Sequence, residues 1–442
     1  MVGALAVHRS PTIRSAGKTR LAPRMIDMNH QNPRVHPPVN LLARLSLIAA
    51  VGTATLCSGG CTGPTKRGIE QRAIAQKKFD AVRSRVDFDQ ANQAFESGNF
   101  IEAKGHLEAA IDKFDGESAY WVLLGRLYLE TGGLQDALQS FREAIELEAE
   151  NPDAHYFNAI ALERIERPLE AVESYLEALE NAPSNSRMLV AAVDVLIGAD
   201  MLSEAERILQ EHRGEFNDDA AVLHLSGRLA MMDGRWNEAA DELEKSVLLD
   251  DSDRWTLEDL ARAQIAAGRT QACLSTIVRL EAVVKDGDRN AELLRLRGRC
   301  LADGNRVREA RTTLRDLVNL HPEDVQGWID FGLVCMAVED YRHVLRAGQR
   351  LAVLAPNRFE GYFLLGHAAL RNRDLESAVK LFARACEIAP ERDEPQLALG
   401  MTHELRGEYG QAYRAYASLA RRRPDDAGVQ GLLTGVSEAL DD

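Results

Sequence analysis

Four prolines, Pro322, Pro356, Pro390 and Pro424, recur at a constant spacing of 34 residues. A period of that length points to a stack of repeated supersecondary units rather than to one globular core. Stepping by the same interval from Ser118 gives starts at Pro152, Ser186, Ala220 and Arg254, with Ser84 one step upstream. After a slip of three residues the starts resume at Ala291, Val325, Phe359 and Asp393. Ten units result, over residues 84–426.

In this frame the eighth residue is Gly or Ala in nine of the ten units, the exception being Val193, and the twentieth is Ala in eight, with Cys273 and Val344 in the others. Only small residues suit two positions at which helix axes come closest, because a larger side chain there overpacks the contact at a cost of about 1–3 kcal/mol. Bulky residues fall at helical spacing around them: Trp121, Leu124, Tyr128, then Leu134, Phe141 and Ala144, with Gly132 and Gly133 at the turn between the two runs. Each unit therefore reads as two antiparallel helices. The proline near its end breaks the second, because it lacks an N–H and disfavours helix in the residue before it.

The set Trp121, Leu124-Gly125, Tyr128, Ala137, Phe141, repeated as Trp328, Phe331-Gly332 and Pro356, resembles the tetratricopeptide repeat family. The resemblance implies an all-α fold, a right-handed superhelical solenoid of antiparallel helix pairs, and a non-catalytic role in binding other proteins or extended peptide segments. Some units depart from the pattern. The third has Glu166-Arg167-Pro168 where a Gly turn is usual, the fourth lacks aromatic anchors, and the eighth has Val344 and Gly348 in place of Ala and an aromatic residue. These units are expected to be looser. Residues 427–442 read as a capping helix and tail, which an open-ended stack needs to cover its last apolar face.

The first 61 residues hold seven Lys or Arg and one acidic residue, leaving 46 basic against 67 acidic residues, a net −21, for the remainder. Nucleic acid is disfavoured as a partner by that acidity. Within the leader, Arg34 and Arg44 precede an apolar run over residues 45–56 and then Cys57-Ser-Gly-Gly-Cys61-Thr. The order is that of a bacterial export signal. The small residues before Cys61 resemble the lipobox of bacterial lipoproteins, in which the cysteine takes a diacylglyceryl group, although Ser58 stands where Leu is usual. The expectation is a basic leader and signal over 1–61, a short helical linker over 62–83, and a lipoprotein anchored in the cell envelope and facing the periplasm. An ordinary cleaved signal, a retained anchor on a cytoplasmic or inner-membrane adaptor, and an accessory binding subunit of an envelope enzyme are the alternatives.

Catalytic signatures are absent from the sequence: it has no phosphate-binding Gly-x-x-x-x-Gly-Lys loop, no His-Glu-x-x-His and no Gly-x-Ser-x-Gly elbow. His403-Glu404 is followed by Gly407 where a metal site needs a second His. No Cys-x-x-Cys occurs, and Cys273, Cys300, Cys335 and Cys386 are expected as separate buried thiols. The reading is of a non-enzyme with no cofactor, no metal and no small-molecule substrate.

In the family the first helix of each repeat lines a groove, and the resemblance places the second, fifth, ninth and twelfth residues of each unit there. Those positions give His224, Arg228, Arg262, Arg295 and Arg299, followed by Ile329, Leu333 and Phe363. One reading is a cationic strip beside an apolar one, suited to a segment carrying carboxylates and apolar anchors. In the other, the arginines pair with neighbouring acids such as Glu258 and Asp259, and the apolar residues pack between repeats.

Overall fold

The computed structural model describes residues 65–284 and 290–441, and the leader with Cys57 and Cys61 and the insertion at 285–289 lie outside them. Twenty-one α-helices account for nearly all of the described chain, which contains no strand. Two compact units divide it after Gly133. In the first, α1 (Lys66–Glu96) and α2 (Phe100–Lys113) form a hairpin on which α3 (Ser118–Thr131) packs. Ala91, Leu107, Ala110, Tyr120 and Leu123 make its core, and the Ser84 Oγ and Tyr120 hydroxyl lie 3.0 Å apart beneath it. The second unit runs from α4 (Leu134–Leu147) to α21 (Ala427–Asp441), each helix packing on its neighbours in the chain.

The odd-numbered helices begin at the residues from which the repeats are counted. These are α3, α5 (Pro152–Arg164), α7 (Ser186–Gly198), α9 (Ala220–Met232), α11 (Arg254–Ala267), α13 (Ala291–Asp303), α15 (Val325–Ala337), α17 (Phe359–Arg371) and α19 (Asp393–Leu405). Six have an Asn or Asp directly before the helix whose side chain accepts a backbone N–H of the first turn: Asn151, Asn185, Asp219, Asp253, Asn290 and Asp324. Such caps satisfy donors that have no partner within the helix. The prolines set the other boundary. His321, Ala355, Ala389 and Arg423, each preceding one of the four, leave the helix with φ between −142° and −125° and ψ near 70°. The Pro322 carbonyl then accepts from the Trp328 indole at 2.9 Å and from Arg350 at 3.2 Å, so the break is tied to both helices of the next repeat.

Closeness explains the small eighth residue. A Cβ built on Gly227 or Gly298 would come within 2.5 Å of Leu243 or Leu314, and one on Gly366 within 2.6 Å of Phe382. Each clashing side chain is the twenty-fourth residue of the same unit. The eighth unit has Gly348 there, and it is not loose: Leu364 of α17 moves into the space beside Gly332, and a Cβ on Gly348 would meet Leu365 at 2.8 Å.

The turn between the paired helices is also uniform. The fifteenth residue of all ten units has positive φ, from 57° to 84°. Gly fills it at 98, 132, 234, 268 and 407, whereas Glu166, Asp200, Asn305, Glu339 and Arg373 adopt the same left-handed conformation. The third unit thus keeps its turn without a Gly. For an L-residue the conformation costs roughly 1–2 kcal/mol, least for Asn or Asp.

The cysteines depart from expectation. Cys273 on α12 (Thr270–Val283) and Cys300 on α13 form a disulfide with Cα atoms 6.2 Å apart, both buried, rather than two separate thiols. The two are 27 residues apart and match no short motif. They meet because the second helix of one repeat packs on the first helix of the next. The sulfurs also lie 3.9 Å and 3.8 Å from the Ala261 and Thr270 carbonyls, acceptors for the thiols once reduced. Cys335 and Cys386 are unbonded thiols, pushed up to about 12 and about 11 chiefly by burial. Residues 66–83 of the expected linker run without a break into the first helix of the first repeat, both belonging to α1.

Two substitutions in the ninth repeat should act in opposite directions. Gly366→Ala should destabilise by about 1–3 kcal/mol through overpacking against Phe382, and Arg373→Gly should stabilise by about 0.5–1 kcal/mol by relieving the turn. Urea denaturation of the two variants beside wild type measures both.

Candidate partner-binding surface

Every arginine of the expected strip is engaged. The first helices carry them on successive repeats, so acids from the next repeat lie within reach. Arg228 donates to Asp194 at 2.9 Å, one repeat back at the same ninth position. Arg262 reaches Asp259 at 2.5 Å and Glu292 at 2.8 Å, and His224 lies 3.0 Å from the other oxygen of Asp259. Arg295 pairs with Glu292 and, at 2.5 Å, with Asp324. Arg299 forks onto Asp330 at 2.6 Å and 3.1 Å. With Arg254 on the buried Glu258, five guanidinium groups face six carboxylates. The strip is therefore a ladder of ion pairs that neutralises itself across repeats four to eight.

Local pKa directions agree with that pairing. Burial raises the Asp259 carboxyl, but the His224 hydrogen bond and the Arg262 charge outweigh it and hold it below the usual range. Burial likewise opposes the charge on Arg262 and Arg299, and their acid partners more than compensate. An acidic ligand would have to displace carboxylates already in place, leaving the enclosed ones, Glu258, Asp324 and Asp330, without their arginines.

The apolar part has a different fate residue by residue. Ile329 is only 4% exposed and belongs to the core with Trp328, Phe331 and Leu364, so it offers no surface. Leu333 is 38% and Met401 49% exposed, the ninth residues of repeats eight and ten. Between them lie half-buried Phe363, His367 and Leu370 of α17. Phe363 meets the His367 ring edge-on at 4.5 Å, and both rings abut Phe382. Leu405, the last residue of α19, extends the row at 64% exposure. An apolar row thus follows the first helices of repeats eight to ten, starting where the ladder stops.

Sequence reasoning missed Glu292, Asp324 and Asp330, and also Leu405; it places Asp194 at the ninth position, one period before Arg228, without pairing the two. Asp330 was not recoverable, because its sixth position lies outside the set the resemblance assigns to the groove. Among the described residues no cluster of three His, Cys, Asp or Glu side chains could hold a metal ion.

Family models described as tetratricopeptide repeat match residues 88–152, 122–186, 292–324 and 359–392. These matched stretches carry tetratricopeptide repeats. A tetratricopeptide repeat-containing protein of Caenorhabditis elegans, trd-1, is 27% identical over 149 residues, which are 33% of this chain and 19% of that relative's length. The helical repeats are also similar to two solved structures. One, titled as a functional characterisation of Pseudomonas aeruginosa pilF, is 21% identical with a TM-score of 0.38, covering 46% of this chain and 92% of that one. The other, the hetero-tetramer of Cut9 and Hcn1 from the APC/C, is 12% identical with a TM-score of 0.47, covering 83% and 95%.

His367 supplies a pH test of the row. Burial pushes its imidazole from the ordinary 6.5 down to about 4. The unfolded repeats take up this proton below about pH 6.5, while the folded ones resist until about pH 4. Its contribution is therefore complete above the upper value and is lost as pH falls through the window, by up to roughly 3 kcal/mol. His367→Leu should flatten the urea-denaturation stability curve across that window. The Asp259 contribution lies lower, being lost only as pH falls below about 3.9.

Proposed function

We propose that this protein is a non-catalytic scaffold, exported and held at the membrane by a lipid on Cys61, whose repeats organise an envelope assembly or secretion complex. Tetratricopeptide repeats bind other proteins or peptides, and that much follows from the family. The observation that carries the finer reading is the row Leu333, Phe363, Leu370, Met401 and Leu405, because it leaves apolar area in water on three consecutive repeats. Burying such side chains is worth about 25 cal/mol per Å², and exposed apolar patches of this kind mark interaction surfaces. The partner is read as an extended or helical segment with apolar anchors, its charges meeting the flanking ladder only at the edge. Support for export comes from the basic, apolar and small-residue order of the leader and from the Cys273–Cys300 disulfide, a bond that persists mainly in oxidising compartments.

Labelling cells with a radioactive fatty acid tests the anchor. Wild type should incorporate label and Cys61→Ser should not; label kept by the variant, or none in wild type, would favour the adaptor with a retained anchor. For the row, cross-linking on native membranes followed by mass spectrometry should recover a partner from wild type. Leu333→Glu with Met401→Glu should reduce that recovery by about tenfold or more at unchanged helicity. Undiminished recovery would place the partner elsewhere on the repeats.

A further inference from the structure

The helix α1 has 31 residues where the first helices of the other repeats have 13 or 14. Its repeat-forming part begins at Ser84, the first buried residue, so residues 66–83 extend into solvent by about 27 Å at 1.5 Å per residue. This extension is not polar. Phe79, Val82 and Val86 are 55%, 67% and 56% exposed. At about 100° per residue they share one narrow stripe with Ala75, nearly opposite the face on which Ser84, Ala91 and Ala94 are buried. Arg67, Lys78 and Arg85 border the stripe on one side, Arg72 and Arg83 on the other.

Charge singles the segment out further. Residues 66–86 hold seven Lys or Arg against Glu70 and Asp80, whereas residues 87–442 hold 39 basic against 65 acidic side chains. An exposed helix of this length is marginal in water by itself, and nothing within the described residues covers its apolar stripe. Ile69 and Ile74, 54% and 47% exposed, lie on other faces, so the segment is a basic helix with several exposed apolar side chains, drawn to a bilayer surface chiefly by its cations at anionic headgroups, with Phe79, Val82 and Val86 at the acyl boundary. A second copy pairing through the same stripe would bring two clusters of like charge together.

We infer that residues 66–86 of α1, the extension and the first turn of the repeat, form an interfacial helix that docks on an anionic lipid surface through Phe79, Val82 and Val86. The inference deepens the membrane-tethered reading above, because a lipid on Cys61 would sit only five residues ahead of Lys66. It also gives the tether its second signal, since stable anchoring by acylation is reinforced by a basic patch.

The test uses the full chain with Cys61→Ser, so that no lipid contributes, in sedimentation with vesicles of phosphatidylcholine, alone or with about a quarter phosphatidylglycerol. The leader, with its apolar run and seven Lys or Arg, is the same with and without changes in α1, so the part of the anionic gain lost on changing the stripe reports α1. At low salt the anionic vesicles should bind at least about tenfold more tightly, and about 0.5 M salt should erase the gain. Phe79→Asp with Val82→Asp and Val86→Asp should remove most of it, with helicity preserved because all three side chains are exposed. Equal binding to both vesicles, or a gain undiminished in the triple variant, would overturn the inference. So would self-association in sedimentation velocity that the triple variant abolishes, since the stripe would then bind a second copy. Failure here would leave the fatty-acid labelling result untouched, and failure of lipidation would leave this result untouched.

Discussion

The close approach of paired helices at the eighth residue is the constraint on which the described structure depends. With Gly or Ala there, a Leu, Phe or Tyr from the partner helix lies flat against the backbone, and the pair becomes a slab with two apolar faces. Neither face can be left in water. Each slab therefore needs a neighbour, and the repetition of the sequence follows from the repetition of that need. At the C-terminal end α21 ends the series, with Val436 buried against Tyr416 and Leu419 and with Val429, Leu432 and Leu433 packed around them.

Much of this was legible in the sequence because it is written with a single period. Small residues, aromatic anchors and prolines each mark one place in the frame, and nine helices begin where the frame begins. What escaped the reading was set by neighbouring repeats rather than by the period. Cys273 and Cys300 belong to different repeats and different positions, so their meeting depends on which helix packs on which. The distant acids that engage Arg262, Arg295 and Arg299, namely Glu292, Asp324 and Asp330, lie 29 to 31 residues away, at offsets that only the stacked geometry selects. Ile329 was misplaced for a related reason, since a fifth position can turn toward the core when Trp328 and Phe331 crowd the same face.

The turns show how far a backbone demand can override residue preference. Glu, Asp, Asn and Arg side chains occupy, in five units, a left-handed position that Gly fills elsewhere, so the packing of the two helices dictates the turn and the residue follows. The same hierarchy governs the arginines. They resemble a binding surface in sequence, and in the structure their charges join one repeat to the next, so the proposed partner surface falls on the less conspicuous apolar row.

The ladder and the disulfide lie in the same stretch, repeats four to eight, and this has a consequence for how the stack comes apart. In a linear array the coupling between neighbours decides how many repeats unfold together. Repeats four to eight are joined by ion pairs from repeat to repeat and, at one interface, by a covalent bond. They form a cooperative middle block. Repeats eight to ten, which bear the apolar row, stand at its edge. A partner lying along that row would supply the coupling that the ladder supplies upstream, so occupancy would be read out as a longer cooperative block as well as an occupied surface.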